Sequence, residues 1–209
     1  MPENLIPLEP DKFYHIYNHA IGKENFFETD ADYLWFINKL KKYVVPLCDM
    51  YSFCLMPNHF HFAVRIKGET EIKNILNKLN TGRLSVEEKM AKDEAYLSNA
   101  ISQQIGNLFN AYAKYFNYVH QRKGTLFTRA FRRKWVESED YLRQLICYVH
   151  QNPVQAGYVM TPTEWKYSSY NAIVSLRETL VCRKEVIDYF DTVENFVFCN
   201  SRSIDLDFD

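Results

Sequence analysis

The chain has 209 residues, 47% hydrophobic and 24% charged, with a net charge of -1. That size and balance describe one compact domain, alone or with an appended tail, and exclude a disordered or low-complexity chain. Apolar runs such as Tyr33–Ile37 fall far short of the roughly 20 residues a membrane span needs, so no membrane partner is expected. The five cysteines form no CxxC pair and no secretory signal opens the sequence, which reads as reduced thiols in a soluble cytoplasmic protein.

Phe13–Ala20 alternates aromatic and β-branched residues and predicts a strand with His15, Tyr17 and His19 on one face. Thr29 or Asp30 then caps a helix through about Val45, with Tyr33, Phe36, Ile37, Leu40 and Val44 at helical spacing and Pro46 as its stop. Tyr51–Met56 and His59–Ile66 predict two more strands, joined at Pro57-Asn58 by a turn or a kinked, bulged segment. Glu69–Asn80 reads as helix, and the polar Thr81–Asn99 as an insertion or mobile loop. Ile101–Tyr118 is an amphipathic helix, with Ile105, Leu108, Tyr112, Tyr115 and Phe116 on one stripe. Phe131–Val136 predicts a short strand, and Ser138 caps a helix that Pro153 is expected to end near Asn152. Trp165–Tyr170 is a packed loop or the start of another helix. After Arg183 the chain turns acidic through Glu185, Asp188, Asp191, Glu194, Asp205, Asp207 and Asp209. The order of elements predicts an α+β fold with an antiparallel sheet.

Charge is unevenly spread. From Ile101 to Val136 there is no Asp or Glu, whereas Lys114, Arg122, Lys123, Arg129, Arg132, Arg133 and Lys134 are interleaved with eight aromatics. Cations track phosphates and aromatic rings stack on unpaired bases, so the stretch suits a folded or single-stranded nucleic acid. A solvated basic face balanced by the acidic end of the chain is the competing reading.

His59-Phe60-His61 lies on a predicted strand, where alternate residues share a face, so both imidazoles project together with Phe60 behind them. Two such imidazoles are half of a divalent-metal site, better suited to Mn, Fe, Ni, Cu or Zn than to Mg. Tyr148 and Asn152 sit one helical turn apart, where an amide oxygen and a phenol can face one point. A tyrosine beside a Lewis acid can attack a phosphodiester. On spacing alone, a core or rim tyrosine and an asparagine capping the helix before Pro153 are the better explanation of the pair. His150 points away from Tyr148 and reads as packing or surface.

The segments LMPNHFHFAVRI, GTLFTRAFRRK, YVHQNPVQAGYV and WKYSSY, in that order, closely resemble insertion-sequence-type single-tyrosine transposases with an HUH motif, and best of all the REP-associated tyrosine transposases. The likeness runs from about Phe13 to Tyr170. It implies a ferredoxin-like or RRM-like antiparallel sheet packed with helices, within a catalytic domain over residues 1–175 that carries a variable insertion at about 69–99. Residues 176–209 form an acidic extension. The resemblance further implies a divalent ion, Mg or Mn, on His59, His61 and Asn152, with Tyr148 as nucleophile. DNA contacts are expected from Lys114, Arg122, Lys123, Arg129, Arg132, Arg133 and Lys134. The implied activity is cleavage and rejoining of single-stranded DNA beside hairpins through a 5′-phosphotyrosine, in a monomer or a homodimer. The alternative is a catalytically silent relative that only binds nucleic-acid hairpins. Two departures stand out: Asn18 is followed by His19 where many relatives have arginine, and the 69–99 segment is longer than in compact relatives. His15 and His19 lie on a strand that the resemblance places away from the metal pair.

Overall fold

A computed structural model describes residues 6–22, 24–79, 82, 84–128, 130–175 and 177–202. Strands β1 (Phe13–His19), β2 (Cys48–Met56), β3 (His59–Ile66) and β4 (Arg132–Val136) form one antiparallel sheet in the order β2-β3-β1-β4. Helix α1 (Asp30–Tyr43) links β1 to β2, α2 (Glu69–Leu79), α3 (Val86–Met90) and α4 (Tyr96–Val119) link β3 to β4, and α5 (Glu139–Gln155) follows β4. This is the βαββαβ arrangement of a ferredoxin-like fold, as the sequence predicts.

Helices α1 and α4 cover one face of the sheet, where Phe36 and Phe109 meet Phe60 at ring separations of 5.7 and 5.1 Å. Helix α5 packs on the other face, across β2, β3 and β4. Helix α1 starts at Thr29 in a capping box: Thr29 Oγ1 accepts from the Asp32 amide, and the Asp32 carboxylate accepts from the Thr29 amide at 2.8 Å. Pro57-Asn58 makes a tight hairpin turn between β2 and β3. It is pinned because Pro57 O accepts from the Phe26 and Phe27 amides at 2.8 and 3.0 Å. The bulge of this sheet lies elsewhere, between Met50 and Ser52.

Three expectations need correction. Pro153 does not end α5. A proline there forgoes the bond its own N–H would make and crowds the carbonyl four residues earlier, yet the helix continues to Gln155. The stop is Gly157, whose φ of +74° closes a Schellman motif: Tyr158 N donates to Pro153 O at 2.9 Å and Gly157 N to Val154 O at 3.0 Å. The Thr81–Asn99 stretch is not one loop, since α3 is capped by a Ser85–Glu88 capping box and α4 begins at Tyr96 rather than Ile101. Asn80 and Thr81 lie outside the described residues.

The described part of the acidic end is packed against the sheet and α5, while Asp205, Asp207 and Asp209 lie outside the described residues. After α6 (Tyr170–Val174), helices α7 (Arg183–Asp188) and α8 (Val193–Asn200) bury Val186 and Phe196, and Phe190 between the two helices is buried as well. Buried Asn200 accepts from His150 Nδ1 at 3.1 Å, and Gln151 Nε2 donates to Asn200 O. His150 Nε2 in turn accepts from Ser169 Oγ at 2.8 Å, so the back of α5 is anchored by three polar contacts. Burial holds His150 down at about 3, which keeps it neutral in this role. Phe196→Ala is expected to cost about 3–5 kcal/mol, read as a lower urea midpoint, because a fully buried ring is replaced by a cavity under α5. An unchanged midpoint would show that α8 is not part of the cooperative core.

Candidate active site

Strand β1 lies directly beside β3, and its register sets the site. Tyr17 faces His61 and His19 faces His59, while His15 faces Ala63, all pointing to the side covered by α5. Four imidazoles therefore share one face, which corrects the expectation that β1 lies away from the metal pair. His19 stacks on His59 with ring centroids 5.1 Å apart, and His15 lies 5.1 Å from His61. His59 and His61 are themselves 5.1 Å apart, with Phe60 buried on the opposite face, as strand alternation requires.

Helix α5 delivers the remaining groups. Ser138 Oγ accepts from the Tyr141 amide at the helix start, and the first turn carries Glu139 and Asp140, where the helix dipole favours acids. Tyr148 and Asn152 then fall one turn apart above β3. The Tyr148 ring is buried edge-on against His61, 5.3 Å between centroids, and against His15 at 6.2 Å. The Asn152 amide spans the histidine pair: Oδ1 is 2.7 Å from His59 Nε2, and Nδ2 is 3.3 Å from His61 Nε2. Two sequence motifs more than 80 residues apart thus meet at one point.

The donors suit a divalent cation. Both Nε2 atoms face the one Asn152 amide, His59 its oxygen and His61 its nitrogen, and each histidine has its other nitrogen occupied: His59 Nδ1 by Asn58 Oδ1 at 2.7 Å, and His61 Nδ1 by His15 Nε2 at 2.9 Å. Outer partners of this kind orient metal-binding imidazoles. Among the described residues no group of three His, Cys, Asp or Glu side chains could hold a metal ion, so a third donor would have to be of another type, such as the Asn152 amide. Burial, with the neighbouring imidazoles and Lys134, keeps His61 well below its ordinary value, and burial with Lys134 takes His15 down to about 3. Both rings are therefore neutral, with lone pairs available near neutral pH.

The basic residues do not act as one patch. On β4, Arg132 and Lys134 point to the imidazole face and lie over Tyr17, at 5.9 and 5.5 Å from its centroid. Arg133 points to the other face, where it is buried and Nη1 donates to Ser102 Oγ at 2.6 Å. There it lines a cleft of about 770 Å³ with Asn18, Ser102, Gln103, Asn110 and Phe131. Exposed Lys114 and Lys123 also belong to the α4 side. Arg122 is committed to Glu24, Asn117 Oδ1 and Thr125 O. Arg129 lies outside the described residues. The sequence reading missed His15 as a neighbour of His61. The signal for it was the shared face of His15, Tyr17 and His19, but not which strand pairs with it. No described helix is long and apolar enough to cross a membrane.

No protein-family model matches the chain. In sequence it is 22% identical over 141 residues to a Haemophilus influenzae protein whose name carries the words REP-associated tyrosine transposase, covering 65% of this chain and 69% of that protein. In structure it matches a REP-associated tyrosine transposase bound to a REP hairpin, with a TM-score of 0.51 and 13% identity over 80% of this chain and 81% of the other. At that identity the solved structure speaks for the fold alone. Fold and sequence nevertheless point the same way: the chain has the fold of a REP-associated tyrosine transposase and is similar in sequence to a protein named for that family.

Proposed function

We propose that the chain binds hairpin-bearing single-stranded DNA and cleaves and rejoins it beside the hairpin, using a divalent ion and a tyrosine nucleophile. The observation that carries this reading is the meeting of Asn152 with His59 and His61, one turn from a buried Tyr148 that contacts His61. His59 Nε2, His61 Nε2 and Asn152 Oδ1 would hold the ion, Mg or Mn. When bound, it would polarise the scissile phosphate and stabilise developing negative charge. Asn152 Oδ1 already faces His59 Nε2, and its Nδ2 would have to leave His61 Nε2 for both imidazoles to share the ion with that oxygen.

Tyr148 Oη attacks phosphorus, its proton passing to solvent as the P–O bond forms. The bond to the 3′-oxygen breaks, and that oxygen leaves with the electron pair and takes up a proton as a 3′-hydroxyl. The DNA 5′ end is then a phosphotyrosine, from which a 3′-hydroxyl displaces Tyr148 to rejoin strands. All four groups come from one chain, which supports cleavage without a residue lent by a second subunit.

The test is incubation with Mn²⁺ and a single-stranded oligonucleotide that carries a hairpin, followed by denaturing electrophoresis. A covalent protein–DNA band is expected. Binding without cleavage would favour the silent hairpin-binding alternative, and cleavage without a band would favour plain hydrolysis.

Arg132 and Lys134 flank this site and are the best placed to meet phosphates. Replacing each with Ala is expected to lower the slope of log affinity against log salt by roughly 0.7 for a single strand. Arg122→Ala should leave that slope unchanged, because its guanidinium is already held by Glu24. Equal slopes in all three variants would place the DNA elsewhere.

A further inference from the structure

We propose that His15 is a positioning residue: it accepts the Nδ1–H of His61 at its own Nε2 and so fixes the tautomer in which His61 Nε2 keeps its lone pair. The two rings are fully buried and their nitrogens are 2.9 Å apart. One of the two must donate and the other accept. The Asn152 amide decides the direction. Its Oδ1 lies 2.7 Å from His59 Nε2, which turns its Nδ2, a donor, towards His61 Nε2 at 3.3 Å. A proton on His61 Nε2 would face that donor. A lone pair there leaves the proton on Nδ1, aimed at His15.

The surroundings hold His15 in place for this task. Its ring stacks on Tyr17 at 4.6 Å and 18°, and Tyr17 lies 5.9 Å from His61. Strand pairing fixes the offset, because Tyr17 faces His61 and His15 comes two residues earlier on the same face. The consequence for metal binding rests on the function proposed above, since only a metal ligand needs the Nε2 lone pair. The tautomer itself does not.

The experiment is a two-bond ¹H–¹⁵N correlation spectrum of the metal-free chain with labelled histidine, recorded near neutral pH. Wild type is expected to show His61 in the Nδ1–H form. His15→Gln, which retains an acceptor near the position of Nε2, should preserve that pattern, whereas His15→Phe, which retains only the stacking, should lose it. Calorimetric titration with Mn²⁺ should then give roughly 10–100-fold weaker binding for His15→Phe and near wild-type binding for His15→Gln. An Nε2–H signature for His61 in wild type, or no change in His15→Phe, overturns the proposal. Failure of wild type to bind Mn²⁺ would sink the metal reading, while the spectrum would still decide the role of His15.

Discussion

Tyr148→Phe is expected to abolish the covalent protein–DNA product and to lower strand cleavage by about three orders of magnitude or more. The substitution removes one oxygen and leaves the ring, which is buried edge-on against His61 and His15, so the fold and the hairpin-binding surface should persist. Hairpin affinity, measured by fluorescence anisotropy, should stay within about threefold of wild type, because binding rests mainly on cationic contacts to phosphate. Cleavage that survives in this variant would assign the nucleophile to water and leave Tyr148 as packing.

His59→Ala should separate binding from chemistry in the same way, by a different route. His59 is half-buried at the rim of the site, held between Asn58 and Asn152, so its loss would remove the proposed ligand without opening the core. Mn²⁺ affinity and cleavage are both expected to disappear, while hairpin binding is largely retained. Treating wild type with a chelator should reproduce the loss, and Mn²⁺ should restore it. If hairpin binding collapsed in His59→Ala, the imidazoles would be holding the DNA surface together, and a catalytic role for them would be in doubt.

Local spacing was enough to find half of the site. Alternation on a strand put His59 and His61 on one face, and a four-residue step on a helix aligned Tyr148 with Asn152. The other half depended on which strands lie side by side. His15 is 46 residues from its partner, and no local pattern states that β1 pairs with β3. The basic run at 132–134 was read as one patch because composition ignores direction, yet strand alternation sends Arg133 to one face and Arg132 and Lys134 to the other. Pro153 was read as a stop, although the chain had another in Gly157, where an αL residue closes the helix. The polar 81–99 stretch hid a legible capping box, Ser85 to Glu88. The acidic end was judged by its charges, while Phe196, spaced among them, packs α8 against His150 of α5 and against Phe190.

Whether the phenol of Tyr148 becomes bonded to DNA can be read directly by mass spectrometry after reaction with Mn²⁺ and hairpin DNA, nuclease trimming and trypsin digestion. The peptide that follows Arg143 contains both Tyr148 and Tyr158, so fragment ions can tell them apart. A nucleotide phosphate on Tyr148 alone is the expected result. Its appearance on Tyr158 or another residue, or an unmodified peptide alongside cleaved DNA, would contradict the proposed chemistry.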